Sequence, residues 1–426
     1  MRPSALPAAL RRDLSGFACL GGARALAALC GFAAVVLLAR GLGPYEFGVW
    51  SLLLAVHGYA LQFGELGLRS VLTAEAGAAP PRARALLPSY LALRTAASIL
   101  AWLVALAVTA LQAPAFLVPV ALVFASLLPA ALQFDWIPLA RGRAFLAAFL
   151  FLARPTGFLL LLLPWALLGG DLRQLALLYL LGWTLAAAAA LPALRLLPER
   201  GVPPARPARI LLRRGLPLCV TNLSSQAQYT LDLLVAGAVL GAAAVGEFYL
   251  AHAIAMAGLV FANAAGQLAL ARMSPLARRP AAFGLRLRGE LRVVTVTALS
   301  LGAAMILVAP WLVPLAFGDA YPRTPLLLVW LLPWFLLQHL TTLLQGTLAA
   351  VGRERRVLAG NLAMLAVLVP GLAVAAWIGD LRGFAAARAL AELARLLTLH
   401  RAVRGPLACA DEAPREGRKT VPLPSP

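Results

Sequence analysis

Residues 14–39 read LSGFACLGGARALAALCGFAAVVLLA and contain one charged residue, Arg24. A helix needs about 20 mostly apolar residues to cross the hydrocarbon core of a bilayer. The stretch is longer than the roughly 7–15 apolar residues of a signal peptide, although Arg11 and Arg12 precede it as they would precede a signal. We therefore predict a retained first membrane-spanning helix.

The whole chain shares this apolar character. Its 426 residues are 62% hydrophobic and 13% charged, with a mean hydropathy of +0.85. Soluble domains contain about 45–50% apolar residues, so this composition excludes a water-soluble fold. The net charge of +20 comes from arginines placed between apolar stretches, which makes lipid headgroups rather than nucleic acid the expected counter-ions.

The same length criterion divides the chain into twelve apolar stretches, separated by charged or Gly/Pro-rich segments. We predict an all-α membrane protein with about twelve spans. The predicted spans are 14–39, 46–63, 86–111, 114–134, 144–168, 174–194, 215–240, 247–271, 293–317, 324–350, 357–378 and 381–400.

Arginine is distributed unequally between alternate loops. One set of loops, within 82–84, 141–143, 195–214, 272–292 and 353–356, holds groups of arginines, whereas the other set holds single arginines beside an acidic residue. Short cytoplasmic loops carry the Lys/Arg excess of membrane proteins. The first set is therefore predicted to be cytoplasmic, together with both termini.

Two short matches indicate an internal duplication. LGPYEFG at 42–48 matches LGAAAVG at 240–246, and Gly142-Arg143 matches Gly352-Arg353. Each pair falls at an equivalent place in two sets of six spans, so the halves would be related by an axis along the membrane normal. We predict an N-terminal six-helix lobe over 1–196, a basic cytoplasmic linker over 197–214, a C-terminal six-helix lobe over 215–404 and a disordered cytoplasmic tail over 405–426.

Three arginines lie inside predicted spans of the N-terminal half: Arg24, Arg94 and Arg154. Each is about 15 Å along its helix from the preceding flanking arginine, near the middle of the hydrocarbon core. An arginine at that depth costs about 2.5–3.5 kcal/mol on insertion scales, which suggests a use. We predict a cationic cavity that binds an anionic substrate group such as a phosphate. The alternatives are snorkelling to headgroups or pairing with Asp232 and backbone carbonyls.

The seventh span contains the polar segment TNLSSQAQYTLD, which supplies Asn222, Gln228 and Asp232. Gln228 and Asp232 are four residues apart and share a helix face. This face is a candidate site for a coupling H⁺ or Na⁺ or for sugar hydroxyls, and interhelical hydrogen bonding is the alternative. In the twelfth span, Glu392 is spaced to pair locally with Arg388 and Arg395.

Motifs of enzymes and cofactor sites are missing from the sequence. There is no phosphate-binding loop with a following lysine, no HExxH or CxxC motif and no serine nucleophile elbow. The four cysteines have no paired spacing, so neither a disulfide framework nor a metal site is indicated. We expect a protein that is not an enzyme, has no bound cofactor and does not bind nucleic acid.

Several segments resemble one known family. LLARGLGPYEFGVWSLLLAVHGYALQFGELGLRSVLTAEAG (37–77) and RRGLPLCVTNLSSQAQYTLDLLVAGAVLGAAAVGEFYLAHAI (213–254) are similar to the starts of the two lobes of the O-antigen type polysaccharide flippases, in the multidrug/oligosaccharidyl-lipid/polysaccharide exporter superfamily. FGDAYPRTPLLLVWLLP (317–333) and AVGRERRVLAGN (350–361) resemble later segments of the same family. The resemblance covers residues 10 to 400.

This resemblance implies a V-shaped transporter of the MATE type in a bacterial inner membrane. It would flip a polyprenyl-pyrophosphate-linked oligosaccharide during lipopolysaccharide or other surface polysaccharide biosynthesis, alongside a polymerase and glycosyltransferases. The family's cavity arginines would correspond to Arg24, Arg94 and Arg154. Two alternatives stay open: a cation-coupled multidrug exporter of the same fold, for which Asp232 would be central, and a membrane-embedded glycosyl ligase or polymerase.

Overall fold

The computed structural model describes residues 8–198, 208–276 and 280–411, and no strand occurs within these ranges. The prediction of an all-α membrane fold is confirmed. The helices are α1 (Ala8–Glu65), α2 (Leu68–Ala78), α3 (Pro80–Gln112), α4 (Leu117–Ala125), α5 (Leu127–Ala131), α6 (Trp136–Ala140), α7 (Ala144–Leu168), α8 (Leu172–Ala190), α9 (Ala208–Leu240), α10 (Ala242–Gly258), α11 (Val260–Met273), α12 (Pro280–Phe317), α13 (Thr324–Ala350), α14 (Glu354–Ile378) and α15 (Leu381–Asp411).

Nine stretches of the described residues are long and apolar enough to cross a membrane. One of them, Cys19–Glu65, includes most of the first predicted span and all of the second. The two predicted spans that are missing from the nine lie in α9 and α15, which carry polar and charged side chains in the middle of the helix. The nine stretches together with α9 and α15 therefore account for the twelve predicted spans.

Helix α1 holds two spans because its break is a kink rather than a loop. Gly43 has φ 70° and ψ 174° inside the helix, and Pro44 follows it. A positive φ suits glycine, and proline is tolerated at the start of a helical segment because its missing N–H has no partner there. We call residues 8–42 the first arm of α1 and residues 44–65 the second arm.

The repeated sequence segments also share backbone conformation. Gly241, which corresponds to Gly43 in the repeat, has φ 82° and ψ 172° and precedes α10. Gly142 and Gly352 have φ of 68° and 70°. Each is followed by an arginine and then by a helix of 25 residues, α7 or α14. The two halves therefore have the same local backbone structure at the positions where their short sequence segments match.

The segments 42–48 and 240–246 lie against each other. A Cβ atom at Gly48 would overlap the carbonyl of Ala242, and a Cβ atom at Gly246 would overlap the carbonyl of Pro44. The contact is reciprocal, as in a two-fold interface, and small residues at four-residue spacing let the two backbones touch. The halves of the chain therefore meet where the second arm of α1 and α10 begin.

Further contacts close the same end of the molecule. Tyr321 Oη, between α12 and α13, donates to the carbonyl of Ala39 at 2.8 Å. The ring of Phe47 lies 5.5 Å from that of Tyr249 and 6.2 Å from that of Tyr321. Arg40 Nη2 donates to the carbonyl of Leu315. We call this the closed end, and the end with the arginine groups near residues 84, 143, 214 and 353 the basic end.

Helix α9 runs antiparallel to the second arm of α1 as far as the basic end. Gly67 and Gly215 are packed so closely that a Cβ atom on either would overlap backbone or side-chain atoms of the other helix. Arg214 Nη1 then pairs with Glu75 Oε1 of α2 at 2.5 Å. Closer to the closed end, Gly58 lies against Gln226 and Gly237 lies against Leu52, so the second arm of α1 packs along α9.

Two of the predicted segments lie partly outside the described residues. Residues 199–207 of the predicted linker and residues 412–426 of the predicted tail are not described. The part of the predicted tail that is described, residues 405–411, continues α15 as a helix. The predicted lobe boundaries stay predictions.

Candidate functional site

An aromatic cavity lies within the N-terminal half, between both arms of α1, α7 and α8. Its volume is about 170 Å³, and Tyr249 of α10 closes one side. Most of the lining is apolar, and six aromatic side chains contribute: Phe47, Trp50, Phe158, Tyr179, Trp183 and Tyr249. Binding sites are commonly apolar clefts with a few polar groups that fix the orientation of the ligand.

Arg154 supplies the positive charge of this cavity. Its guanidinium carbon lies 4.7 Å from the centroid of the Trp183 ring, a cation–π arrangement. Among the ion pairs of the described residues, none involves Arg154. The side chain is exposed, so its guanidinium N–H groups are free to bind an anion.

Arg24 lies on the same face of α1 as the cavity lining. Gly31 and Leu38 line the cavity, and Arg24 precedes them at seven-residue spacing, which keeps all three on one helix face. Arg24 is exposed and is about 10 Å nearer the basic end than Gly31. A Cβ atom at Gly21, Gly22 or Gly31 would meet no other atom within 4 Å, so this part of the first arm borders open space.

Arg94 does not line the cavity with Arg154. It is 4% exposed, its Nη1 donates to Tyr90 Oη at 2.6 Å and to the Ala131 carbonyl at 3.4 Å, and its guanidinium lies 5.3 Å from the Tyr90 ring. Of the three predicted cavity arginines, only Arg154 lines this cavity. Arg24 lies nearer the basic end on the same helix face, and Arg94 joins α3 to the end of α5. Arg94 therefore makes the internal contacts that were the alternative to binding a substrate.

Replacing Arg94 with methionine should therefore lower stability without changing ligand affinity. The variant leaves the Tyr90 hydroxyl and a buried carbonyl without their charged donor, which costs roughly 1.5–3 kcal/mol. Thermal unfolding of the purified protein measures this loss. An unchanged melting temperature together with weaker binding of a phosphate ligand would contradict this assignment.

A hydrogen-bonded chain behind the cavity orients Tyr179. Ser126 Oγ donates to the Val123 carbonyl at 2.5 Å, so it must accept the bond from His57 Nε2 at 3.0 Å. His57 Nδ1 is then free to accept from Tyr179 Oη at 3.4 Å. The phenol hydrogen of Tyr179 points toward His57, which leaves the oxygen lone pairs to accept from a ligand hydroxyl. No metal-ligand or catalytic spacing in the sequence indicates a role for His57, because its partners are 69 and 122 residues away.

The residues predicted for ion coupling lie in α9. Gln228 and Asp232 are buried, with 5% and 2% exposure, and face the same side of the helix. Asn222 is half-buried and lies about 15 Å along the axis from Asp232, so it does not join them. Asp232 Oδ2 pairs with Arg388 Nη1 of α15.

The predicted local pairing of Glu392 is seen with one of its two partners. Arg395 Nη1 lies 3.4 Å from Glu392 Oε1, and Thr341 of α13 donates to the same oxygen. Arg388, the other predicted partner, instead pairs with Asp232, which is 156 residues away in the chain. The Arg388 guanidinium also lies over the Trp334 ring of α13, 4.2 Å from the centroid.

Comparison with known proteins gives the family and the fold. The family of "Polysaccharide biosynthesis protein" matches residues 14–271. No curated protein matches the sequence.

Solved structures resemble the chain over most of its length. The inward-facing form of a multidrug resistance MATE family transporter of the MOP superfamily is 15% identical and covers 90% of this chain and 96% of its own, with a TM-score of 0.68. The outward-facing form of such a transporter gives 15% identity, 93% and 95% coverage and a TM-score of 0.61. The lipid II flippase MurJ in an inward closed conformation is 11% identical and covers 90% of this chain and 87% of its own, with a TM-score of 0.65.

The matched family covers more than half of the chain, and the fold is that of membrane transporters. This chain therefore belongs to the polysaccharide biosynthesis protein family and is a multi-pass membrane transporter with a MATE-like fold.

Proposed function

We propose that the chain is a flippase that moves a polyprenyl-diphosphate-linked oligosaccharide from the cytoplasmic to the outer leaflet of a bacterial inner membrane. The observation that carries the proposal is Arg154, a guanidinium group without a carboxylate partner among the described residues, placed in a cavity lined by aromatic rings. Arg24 lies on the path from the basic end to this cavity.

The chemistry of the cavity suits a sugar diphosphate better than a cationic drug. Guanidinium groups bind phosphate oxygens through paired N–H donors, and two arginines match the charge of a diphosphate. Aromatic rings such as Trp183 and Tyr179 pack against the C–H face of a sugar ring, while the Tyr179 oxygen accepts from a sugar hydroxyl. An organic cation would meet positive charge in the same place.

The direction of transport follows from the distribution of arginine. The basic end carries the Lys/Arg excess that marks cytoplasmic loops, so we place both termini in the cytoplasm. The contacts of Gly48, Gly246 and Tyr321 then seal the outer side, and Arg24 borders the route from the cytoplasm. Substrate would enter on the side where lipid-linked sugars are assembled, near the glycosyltransferases of the pathway.

A reconstituted flipping assay tests the proposal. Vesicles are loaded with a polyprenyl-diphosphate-linked hexosamine, and the fraction of sugar accessible to an enzyme added outside is followed with time. We expect the accessible fraction of sugar to increase beyond the fraction in the outer leaflet only when the chain is present. No increase, combined with lower drug susceptibility in cells that express the chain, would favour a drug exporter instead. Sugar transfer by the purified chain would favour a ligase or polymerase.

A further inference from the structure

The C-terminal half contains a buried ion pair that the aromatic cavity does not use. Asp232 of α9 and Arg388 of α15 have side-chain exposures of 2% and 3%. Two charges so far from water are stable together only when each has close partners. Their pairing therefore fixes the position of α15 against α9.

The two oxygens of Asp232 already accept hydrogen bonds. Oδ1 accepts from the backbone N–H of Leu233 at 2.9 Å, and Oδ2 accepts from Arg388 Nη1. A metal cation needs several oxygen ligands arranged around it. No group of three or more His, Cys, Asp or Glu side chains that could hold a metal occurs among the described residues.

The surroundings of the carboxylate are rich in donors. Arg388 Nε and Nη2 and Gln228 Nε2 are buried and have no hydrogen-bond partner in the described part of the chain. One face of the Arg388 guanidinium lies over the Trp334 ring, which also packs against His252 with centroids 5.3 Å apart. N–H groups and a fixed guanidinium repel a second cation.

We propose that Arg388 is a tethered counter-cation for Asp232. It supplies the positive charge that a free alkali cation would otherwise bring to this carboxylate, and it joins α9 to α15 without a bound ion. Asp232 is then not a Na⁺ site in this conformation, and the polar face of α9 binds Arg388 instead of a free ion. The inference does not depend on which substrate the transporter moves.

Melting temperatures of the purified full-length chain test this proposal in NaCl and in choline chloride at equal ionic strength. We expect the unsubstituted chain to show no Na⁺-specific stabilisation. Arg388→Gln leaves a buried carboxylate alone and should melt roughly 3–6 °C lower in choline chloride, with part of the loss recovered in NaCl. The double variant D232N/R388Q removes both charges and should regain most of the stability and ignore Na⁺.

A matched control is available on the same helix. Arg382 pairs with Asp380 at 3.7 Å on the exposed start of α15, so Arg382→Gln should melt like the unsubstituted chain. A saturable Na⁺ stabilisation of the unsubstituted chain that Asp232→Asn abolishes would overturn the proposal. If Arg388→Gln fails to fold, the proposal is still tested by the Na⁺ comparison and by the double variant. A double variant that is as unstable as Asp232→Asn would also contradict the proposal.

Discussion

Replacing both Arg24 and Arg154 with glutamine is expected to lower the flipping rate of a polyprenyl-diphosphate-linked sugar by about 100-fold or more. A hydrogen bond from a charged donor contributes about 1.5–3 kcal/mol, and each 1.4 kcal/mol is a factor of ten. Losing two such contacts with one diphosphate therefore costs at least about two orders of magnitude. The measurement is the initial rate in vesicles that contain equal amounts of folded protein.

Two variants serve as controls for this result. Arg24→Lys together with Arg154→Lys keeps the charge but loses the planar pair of donors, so an intermediate rate is expected. Arg173→Gln changes the net charge at an exposed position of α8 outside the cavity and should leave the rate unchanged. If Arg173→Gln slowed flipping as much as the double variant, general charge rather than the cavity would explain the loss.

The second large effect is expected from Gly48→Ala. The added methyl group overlaps the Ala242 carbonyl, and neither backbone can move away without separating the second arm of α1 from α10. The closed end should therefore open, and transport should fall to near background. Overpacking of this kind costs typically 1–3 kcal/mol, which is enough to shift a conformational equilibrium about 5- to 150-fold.

Labelling of a cysteine reports this opening directly. Tyr249 lines the cavity next to the closed end, so a Tyr249→Cys variant without the native cysteines should react slowly with a membrane-impermeant maleimide added outside. Adding Gly48→Ala should make the reaction fast. Gly157→Ala is the matched control, because a Cβ atom at Gly157 of α7 meets no atom within 4 Å. Equal labelling rates in both glycine variants would refute the role of this contact.

The positions of the membrane spans could be predicted because each depends on local composition. The predicted spans 144–168 and 324–350 agree at both ends with α7 and α13, since Gly/Arg turns and a Pro-containing helix start mark their boundaries. The predicted break after residue 39 is a kink, because a positive φ at Gly43 followed by Pro44 redirects a helix without ending it. Span length alone does not distinguish a kink from a loop.

The partners of the buried charges were harder to predict. Tyr90 is four residues before Arg94, so helical spacing alone indicates this pair, and the cation–π contact keeps Arg94 away from the cavity. Asp232 and Arg388 are 156 residues apart, and only the packing of α9 against α15 brings them together. Helical spacing indicates only pairs that are close in sequence, so it favours Glu392 rather than Asp232 as the partner of Arg388.

Binding of polyprenyl diphosphate to the purified protein tests the central claim most directly, that Arg24 and Arg154 bind the diphosphate of the carrier lipid. Native mass spectrometry can compare the unsubstituted chain with R24Q/R154Q and with Arg94→Met, using the neutral polyprenol as a second ligand. We predict that the double variant loses the diphosphate and retains the polyprenol, and that Arg94→Met binds both. Equal diphosphate occupancy in the unsubstituted chain and in R24Q/R154Q would contradict the account.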